Sequence, residues 1–266
     1  MVSTITDNKD ISKELIDEYS KAGAIHILAV SGLHVGIVLL ILSSLFKPLE
    51  RIKRGKFFKL ILIVMFLWFF ALLAGMSASV VRAVTMFTAV AFGQFLNKRN
   101  AIEHSLIFSM FILLLCKPLF LFEVGFQLSY LAVFGIIWIQ PVIYNRWKPR
   151  FLLLDKAWQL ITVSIAAQLG VLPLSLFYFH QFPGLFLVSN LVIIPFLGFI
   201  LIGGILVLVL ASLSILPLFL DNFYGFIISL LNSFIAFIAK QEEFLFTAIS
   251  FSGLKMMTSY LLIIFG

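Results

Sequence analysis

FKLILIVMFLWFFALLAGM, Phe58 to Met76, decides the fold class: its only charge is Lys59, one residue from its start. About 20 apolar residues at 1.5 Å per residue cross the roughly 30 Å hydrocarbon core of a bilayer. Working outward, similar runs cover about residues 25–45, 78–96, 102–121, 124–144, 157–179, 185–212, 223–239 and 254–266. The sequence therefore predicts an all-α polytopic integral membrane protein with about nine transmembrane or re-entrant helices. Pro195 and the Gly203-Gly204 pair interrupt the seventh run, which reads as one kinked helix or as a re-entrant turn followed by a span.

Composition agrees. Of 266 residues, 62% are hydrophobic and 12% charged, and the mean hydropathy is +1.14. Soluble domains carry roughly 25% charged residues, so the length prior of about two soluble domains gives way. The polar stretch is residues 1–24, in which Ile11, Leu15 and Tyr19 suggest a short amphipathic helix ending at Gly23. It lacks the basic start, apolar core and cleavage site of a signal peptide. Residues 25–266 form the membrane domain.

Orientation follows from the basic residues. Lys47, Arg51, Lys53, Arg54, Lys56 and Lys59 crowd the first loop; Lys98-Arg99 and then Arg146, Lys148, Arg150 and Lys156 follow at two-span intervals. The loops between hold little beyond Lys117 on one and His180 and Gln181 on another. The positive-inside rule puts the three basic loops in the cytoplasm and the N-terminus outside. The formal charge of +7 is thus mostly a record of topology, although it also suits an anionic partner.

The polar residues inside these runs are the candidates for function, because lipid cannot satisfy them. In HILAVSGLHVG, His26 to Gly36, a continuous helix places Ala29, Gly32 and Gly36 within roughly 60° of one another. Gly32 and Gly36 form a small-xxx-small pair that admits a neighbouring helix. His26, Ser31 and His34 occupy a separate arc of about 140°; they read either as interhelical hydrogen bonds or as the wall of a polar cavity. The third span carries Arg82, between Ser79 and Thr85. A buried arginine there costs about 2.5–3.5 kcal/mol or more unless it pairs or snorkels, and Glu123 and Asp221 are its candidate partners. EVGFQLSYLAVFG, Glu123 to Gly135, sets Gly125, Ser129 and Ala132 on a packing stripe and Gln127 with Tyr130 on another face. AAQLGVLP places Gln168 in a span ending near Pro173, and FHQFPG makes an outward turn before Asn190 and Pro195. No HExxH or CxxC occurs, and Cys116 stands alone, so neither a metal site nor an intrachain disulfide is expected.

With these residues in view, the sequence resembles the ComEC competence family of inner-membrane DNA-uptake proteins. ELIDEYSKAGAIHILAVSGLHVGIV carries the resemblance. AGMSASVVRAVTM, KPLFLFEVGFQLSYLAVFGI and QLGVLPLSLFYFHQFPGLFLVSNLVIIP continue it in the family's order, over roughly residues 10–240. The resemblance implies a channel that passes one DNA strand into the cytoplasm during natural transformation while its partner strand is degraded. It implies DNA-receptor, helicase and nuclease components as partners, with membrane lipid around the chain and a homodimer among the arrangements to test. Family members usually add N-terminal spans around an OB-like domain, and many end in a metallo-β-lactamase-like domain. Neither is here, nor any HxHxDH motif, so the chain reads as the central membrane domain, a fragment or a shortened frame, without nuclease activity or cofactor of its own.

A translocated strand needs a hydrated, electropositive path that attracts phosphates without trapping them. Arg82 and Lys117 are the candidate cations, and His26, Ser31, His34, Gln127 and Asn190 the candidate neutral donors. Three other readings stand beside this one. The broken seventh span and buried polar residues also fit a transporter of a small polar solute. Ser31 and His34, one turn apart, outline an intramembrane serine hydrolase, although residues three apart on one helix rarely meet as nucleophile and base. A membrane scaffold for other uptake components is the fourth.

Overall fold

The computed structural model describes residues 31–96, 101–241, 244–246 and 248–265. Among these are nine α-helices: α1 Gly32–Leu45, α2 Gly55–Leu73, α3 Ala78–Phe95, α4 Ala101–Cys116, α5 Val124–Arg146, α6 Leu152–Phe179, α7 Phe186–Ser212, α8 Leu218–Ala239 and α9 Gly253–Phe265. Short 3-10 turns, Lys47–Arg51 and Pro118–Phe122, follow α1 and α4. Six helices (α2, α3, α5, α6, α7 and α8) are long and apolar enough to cross a membrane. The chain is an all-α polytopic membrane protein.

The described residues fall into two compact units, 31–148 with 165–172, and 149–164 with 173–265. In the first, α3 is the hub, packed against α1, α2, α4 and, less extensively, α5. It is the least apolar of the six long helices and among the most buried, as expected where neighbouring helices rather than lipid surround polar side chains. On α2, Leu60, Ile63, Leu67 and Ala71 recur at helical spacing and are buried against Val35 and Leu42 of α1 and Val80, Ala83 and Val84 of α3. The opposite face, with Ile61, Met65, Phe69 and Leu72, is equally apolar but exposed. A helix hydrophobic on every side belongs in a bilayer. At the start of α2, Arg54 takes a left-handed conformation (φ 68°), and a Cβ on Gly55 would collide with the Leu49 carbonyl oxygen.

A local close approach in this unit joins α5 to the middle of α6. A Cβ on Gly135 would lie 2.5 Å from the Ala166 carbonyl oxygen, and one on Gly170 would lie 2.5 Å from that of Leu131. The two backbones meet where neither helix carries a side chain.

In the second unit α7 packs against α8. The Tyr224 hydroxyl donates to the Ile200 carbonyl at 3.2 Å, and its ring lies against Gly203 and Gly204. An antiparallel two-residue pairing, Phe182↔Phe246 and Pro183↔Leu245, ties the α6–α7 turn to the segment before α9. Gly184 N–H to the Phe244 carbonyl (2.8 Å) and Ile249 N–H to the His180 carbonyl (3.0 Å) extend that clasp.

Several sequence-based boundaries move. The α7 helix is unbroken, for Pro195 sits inside it and the Gly203-Gly204 pair is a seat for an aromatic ring. The α6 helix starts at Leu152 rather than 157 and runs through Pro173 to Phe179, where His180 turns left-handed (φ 55°) and stops it. The α8 helix starts at Leu218 rather than 223, α4 ends at Cys116 rather than 121, and the last helix has 13 residues. Among the described residues the first helix begins at Gly32, because Ser31 is extended (φ −114°, ψ 173°) at its N-cap. Ser31 therefore does not share a helical arc with His34, as a continuous helix from residue 25 required. Residues 1–24, His26, Ala29 and the Lys98-Arg99 pair lie outside the described residues.

Candidate functional site

Arg82 is on α3, the hub of the first unit, and is only 7% exposed. It does not snorkel. Its Nη1 lies 3.8 Å from Glu123 Oε2, at the N-cap of α5, so the structure selects Glu123 over Asp221 as its partner. A Cβ on Gly125 would stand 3.2 Å from Arg82 Nη2. Gly125 thus makes room for the guanidinium, beyond the packing role that the small-residue stripe suggests. The pair is loose, since 3.8 Å exceeds a charge-assisted hydrogen bond, and the Glu123 side chain is about half exposed. The Arg82 Nε has no hydrogen-bond partner. A buried, under-partnered guanidinium is costly to leave unsatisfied.

The segment after Glu123 folds around this cation. Phe126 and Tyr130, one turn apart on α5, are both buried, with ring centroids 4.7 Å from each other; Phe126 lies 6.0 Å from Phe120. Lys117 stands over the Phe120 ring at 5.4 Å, a cation–π contact at the end of α4. Ser109 of α4 donates to the Leu106 carbonyl at 2.7 Å, which leaves its oxygen to accept from the Tyr130 hydroxyl at 3.2 Å. Ser129 donates to the Gly125 carbonyl at 2.7 Å. Gln127 folds back to give its amide N–H to the Leu121 carbonyl at 2.8 Å, while its Oε1 is buried without a partner. Arg82, Lys117, Gln127, Gly125 and Ser129 are thus set around the junction of α3, α4 and α5.

At the start of α1, His34 Nδ1 lies 3.2 Å from the Ser31 backbone N–H and 3.1 Å from Ser31 Oγ. The backbone donor makes Nδ1 an acceptor, so the imidazole is neutral with its proton on Nε2. This is a capping arrangement, and it brings Ser31 and His34 together because Ser31 is a cap residue and not a helical one. Gly32 faces Ala83 of α3, where an added Cβ would be 3.7 Å from the alanine methyl, and Gly36 faces the Phe87 ring at 3.2 Å. The α1 glycines therefore point at the helix that carries Arg82. Asn190, on α7, belongs to the second unit.

Sequence reasoning did not single out Ser109, Thr88, Ser164 or Ser189. All but Thr88 are buried, and Thr88 Oγ1, Ser164 Oγ and Ser189 Oγ have no hydrogen-bond partner. Their only signal is a lone hydroxyl in an apolar run. Among the described residues no group of three or more His, Cys, Asp or Glu could hold a metal ion.

These features define a polytopic membrane protein in which one of the most buried long helices carries a cation. Residues 4–266 match the family of competence proteins, and the chain belongs to that family. It is similar to ComE operon protein 3 of Bacillus subtilis, at 34% identity over 243 residues, which are 91% of this chain and 30% of that protein. It is also similar to Recombination protein 2 of Haemophilus influenzae, at 28% identity over 197 residues, 71% of this chain and 25% of that protein. The chain spans less than a third of the length of either relative. No solved structure matches it.

Proposed function

We propose that this chain forms the membrane path through which single-stranded DNA enters the cytoplasm during natural transformation. One observation carries the reading: within a competence-family membrane domain, Arg82 is a buried cation held only loosely by Glu123, with its Nε unpartnered. A passing phosphate is an anion that such a guanidinium can hold briefly and release as the next one arrives. The Lys117 ammonium and the Gln127 amide extend the polar wall, and Ser31, His34, His26 and Asn190 supply further donors. The chain acts as a channel subunit and not as an enzyme, in the inner membrane. Its N-terminus faces outward, and DNA-receptor, helicase and nuclease components, or a second copy, work beside it.

The test follows labelled double-stranded DNA into the cytoplasm of a deletion strain complemented with variants. Arg82→Gln lowers entry on the order of tenfold, the worth of one charge-assisted contact, at unchanged membrane abundance, and Arg82→Lys recovers part of it. Full entry in Arg82→Gln sinks the assignment; normal entry without the gene sinks the function, leaving a small polar solute as cargo. Orientation is tested in a Cys116→Ser background. A cysteine at position 20 is labelled from outside and one at 54 only from inside, and the reverse pattern overturns the topology.

The 3.1 Å Ser31–His34 contact gives the hydrolase reading more geometry than its spacing promised. A nucleophile also needs an oriented base and an oxyanion site, and here His34 Nδ1 already accepts the Ser31 backbone N–H. Substantial entry in Ser31→Ala, with no fluorophosphonate labelling of the parent protein, removes the hydrolase reading, since a lost nucleophile abolishes turnover whereas a lost wall donor only lowers entry.

A further inference from the structure

The turn between α1 and α2 shapes a cavity that the DNA path does not use. It is a half-open cleft of about 260 Å³, the space of roughly nine waters at about 30 Å³ each, which is headgroup-sized. Leu39, Leu60, Ile63 and Phe95 supply an apolar wall, and Ser43, Gln94, Lys56, Lys59 and Glu50 supply polar atoms. Lys59 Nζ donates to Glu50 Oε1 at 2.6 Å. That bond, with the charges of Lys59, Lys56 and Lys47, holds the Glu50 carboxyl below the usual carboxylate range. One carboxylate thus serves two lining lysines, and the cavity keeps an excess positive charge.

Apolar wall, ammonium donors and a single fixed acceptor, at the end of a helix bundle in a membrane protein, describe the negative of an amphiphile. We propose that this cavity binds the headgroup of one anionic phospholipid. The phosphate takes donors from Lys56, Gln94 and Ser43, and the acyl chain starts along Leu60 and Ile63. Glu50, an acceptor only when ionised, selects a headgroup that brings hydroxyl donors. A glycerol headgroup satisfies it without adding charge, whereas a serine headgroup brings, beside its ammonium donor, a carboxylate that Glu50 repels. Cations beside a membrane surface attract anionic lipid by about 1 kcal/mol each, and a shaped cleft adds selectivity among headgroups.

The experiment is native mass spectrometry of the full 266-residue chain released from mixed micelles of phosphatidylglycerol, phosphatidylserine and phosphatidylcholine. One phosphatidylglycerol is retained per chain in preference to the other two. Lys56→Gln lowers its retention about fivefold, Lys56→Arg restores it, and Lys53→Gln, outside the cavity lining, changes nothing. Lys56 is exposed in the first turn of α2, so the variants keep the parent's size-exclusion profile. Equal retention of phosphatidylcholine, or unchanged retention in Lys56→Gln, overturns the proposal. Displacement of the lipid by equimolar glycerol phosphate overturns it as well, by showing that the site takes a free phosphate.

Discussion

Two sets of glycines in this molecule do different work. Gly135 and Gly170 face each other across α5 and α6, and what each avoids is the other helix's backbone. Gly203 and Gly204 on α7 face the Tyr224 ring of α8, and what they avoid is a side chain. The first set is a seam between two rods, the second a seat for one residue. Gly125 belongs with the seats, its occupant being the Arg82 guanidinium. A seam is intolerant because carbonyl oxygens cannot turn aside, whereas the occupant of a seat can move.

That contrast can be broken by adding one methyl group at a time. Gly135→Ala carries the largest effect: its Cβ, 2.5 Å from the Ala166 oxygen, forces the helices apart and costs about 2–3 kcal/mol in detergent unfolding. Gly170→Ala does the same, and the double variant costs less than the sum because both act on one seam. A thermally unperturbed Gly135→Ala protein would show that the helices are not in contact there. Next comes Gly204→Ala, whose Cβ falls 2.8 Å from the Tyr224 hydroxyl oxygen. It costs about 1 kcal/mol, and adding Tyr224→Phe recovers most of that; no recovery would mean the strain lies in the backbone. Smallest is Gly32→Ala, where the nearest atom is the Ala83 methyl at an ordinary 3.7 Å. Its stability stays within about 0.5 kcal/mol of the parent, and a larger loss would turn this position into a seam.

The spans were legible because they rest on local composition: an apolar run is visible as such, and an arginine within one calls for a partner, a polar path or a snorkelling route. The choice of Glu123 over Asp221 was not legible, since both are acidic residues close to a span and only the fold brings one within reach. Pro195 and Pro173 suggested breaks that the helices do not make. In a bilayer no water competes for the backbone groups that a proline disturbs, and neighbouring helices help to accommodate them. The seam was hard to read because its two glycines lie on different helices: Leu131 and Ile139 at the i−4 and i+4 positions leave Gly135 outside any small-xxx-small pair, and Ala166-xxx-Gly170 on α6 does not say which helix it meets. The Ser31–His34 contact was undervalued because both residues were placed on one helix. A single extended residue at the cap changes which atoms meet.

The clasp of Phe182–Pro183 against Leu245–Phe246 has a consequence for how the chain is made. Its halves are about 60 residues apart, and a ribosome adding about 5–20 residues per second delivers the second half several seconds after the first. Both α7 and α8 are synthesised within that interval, while the α6–α7 turn is still unfastened. The clasp therefore closes only after the segment leading into α9 has emerged.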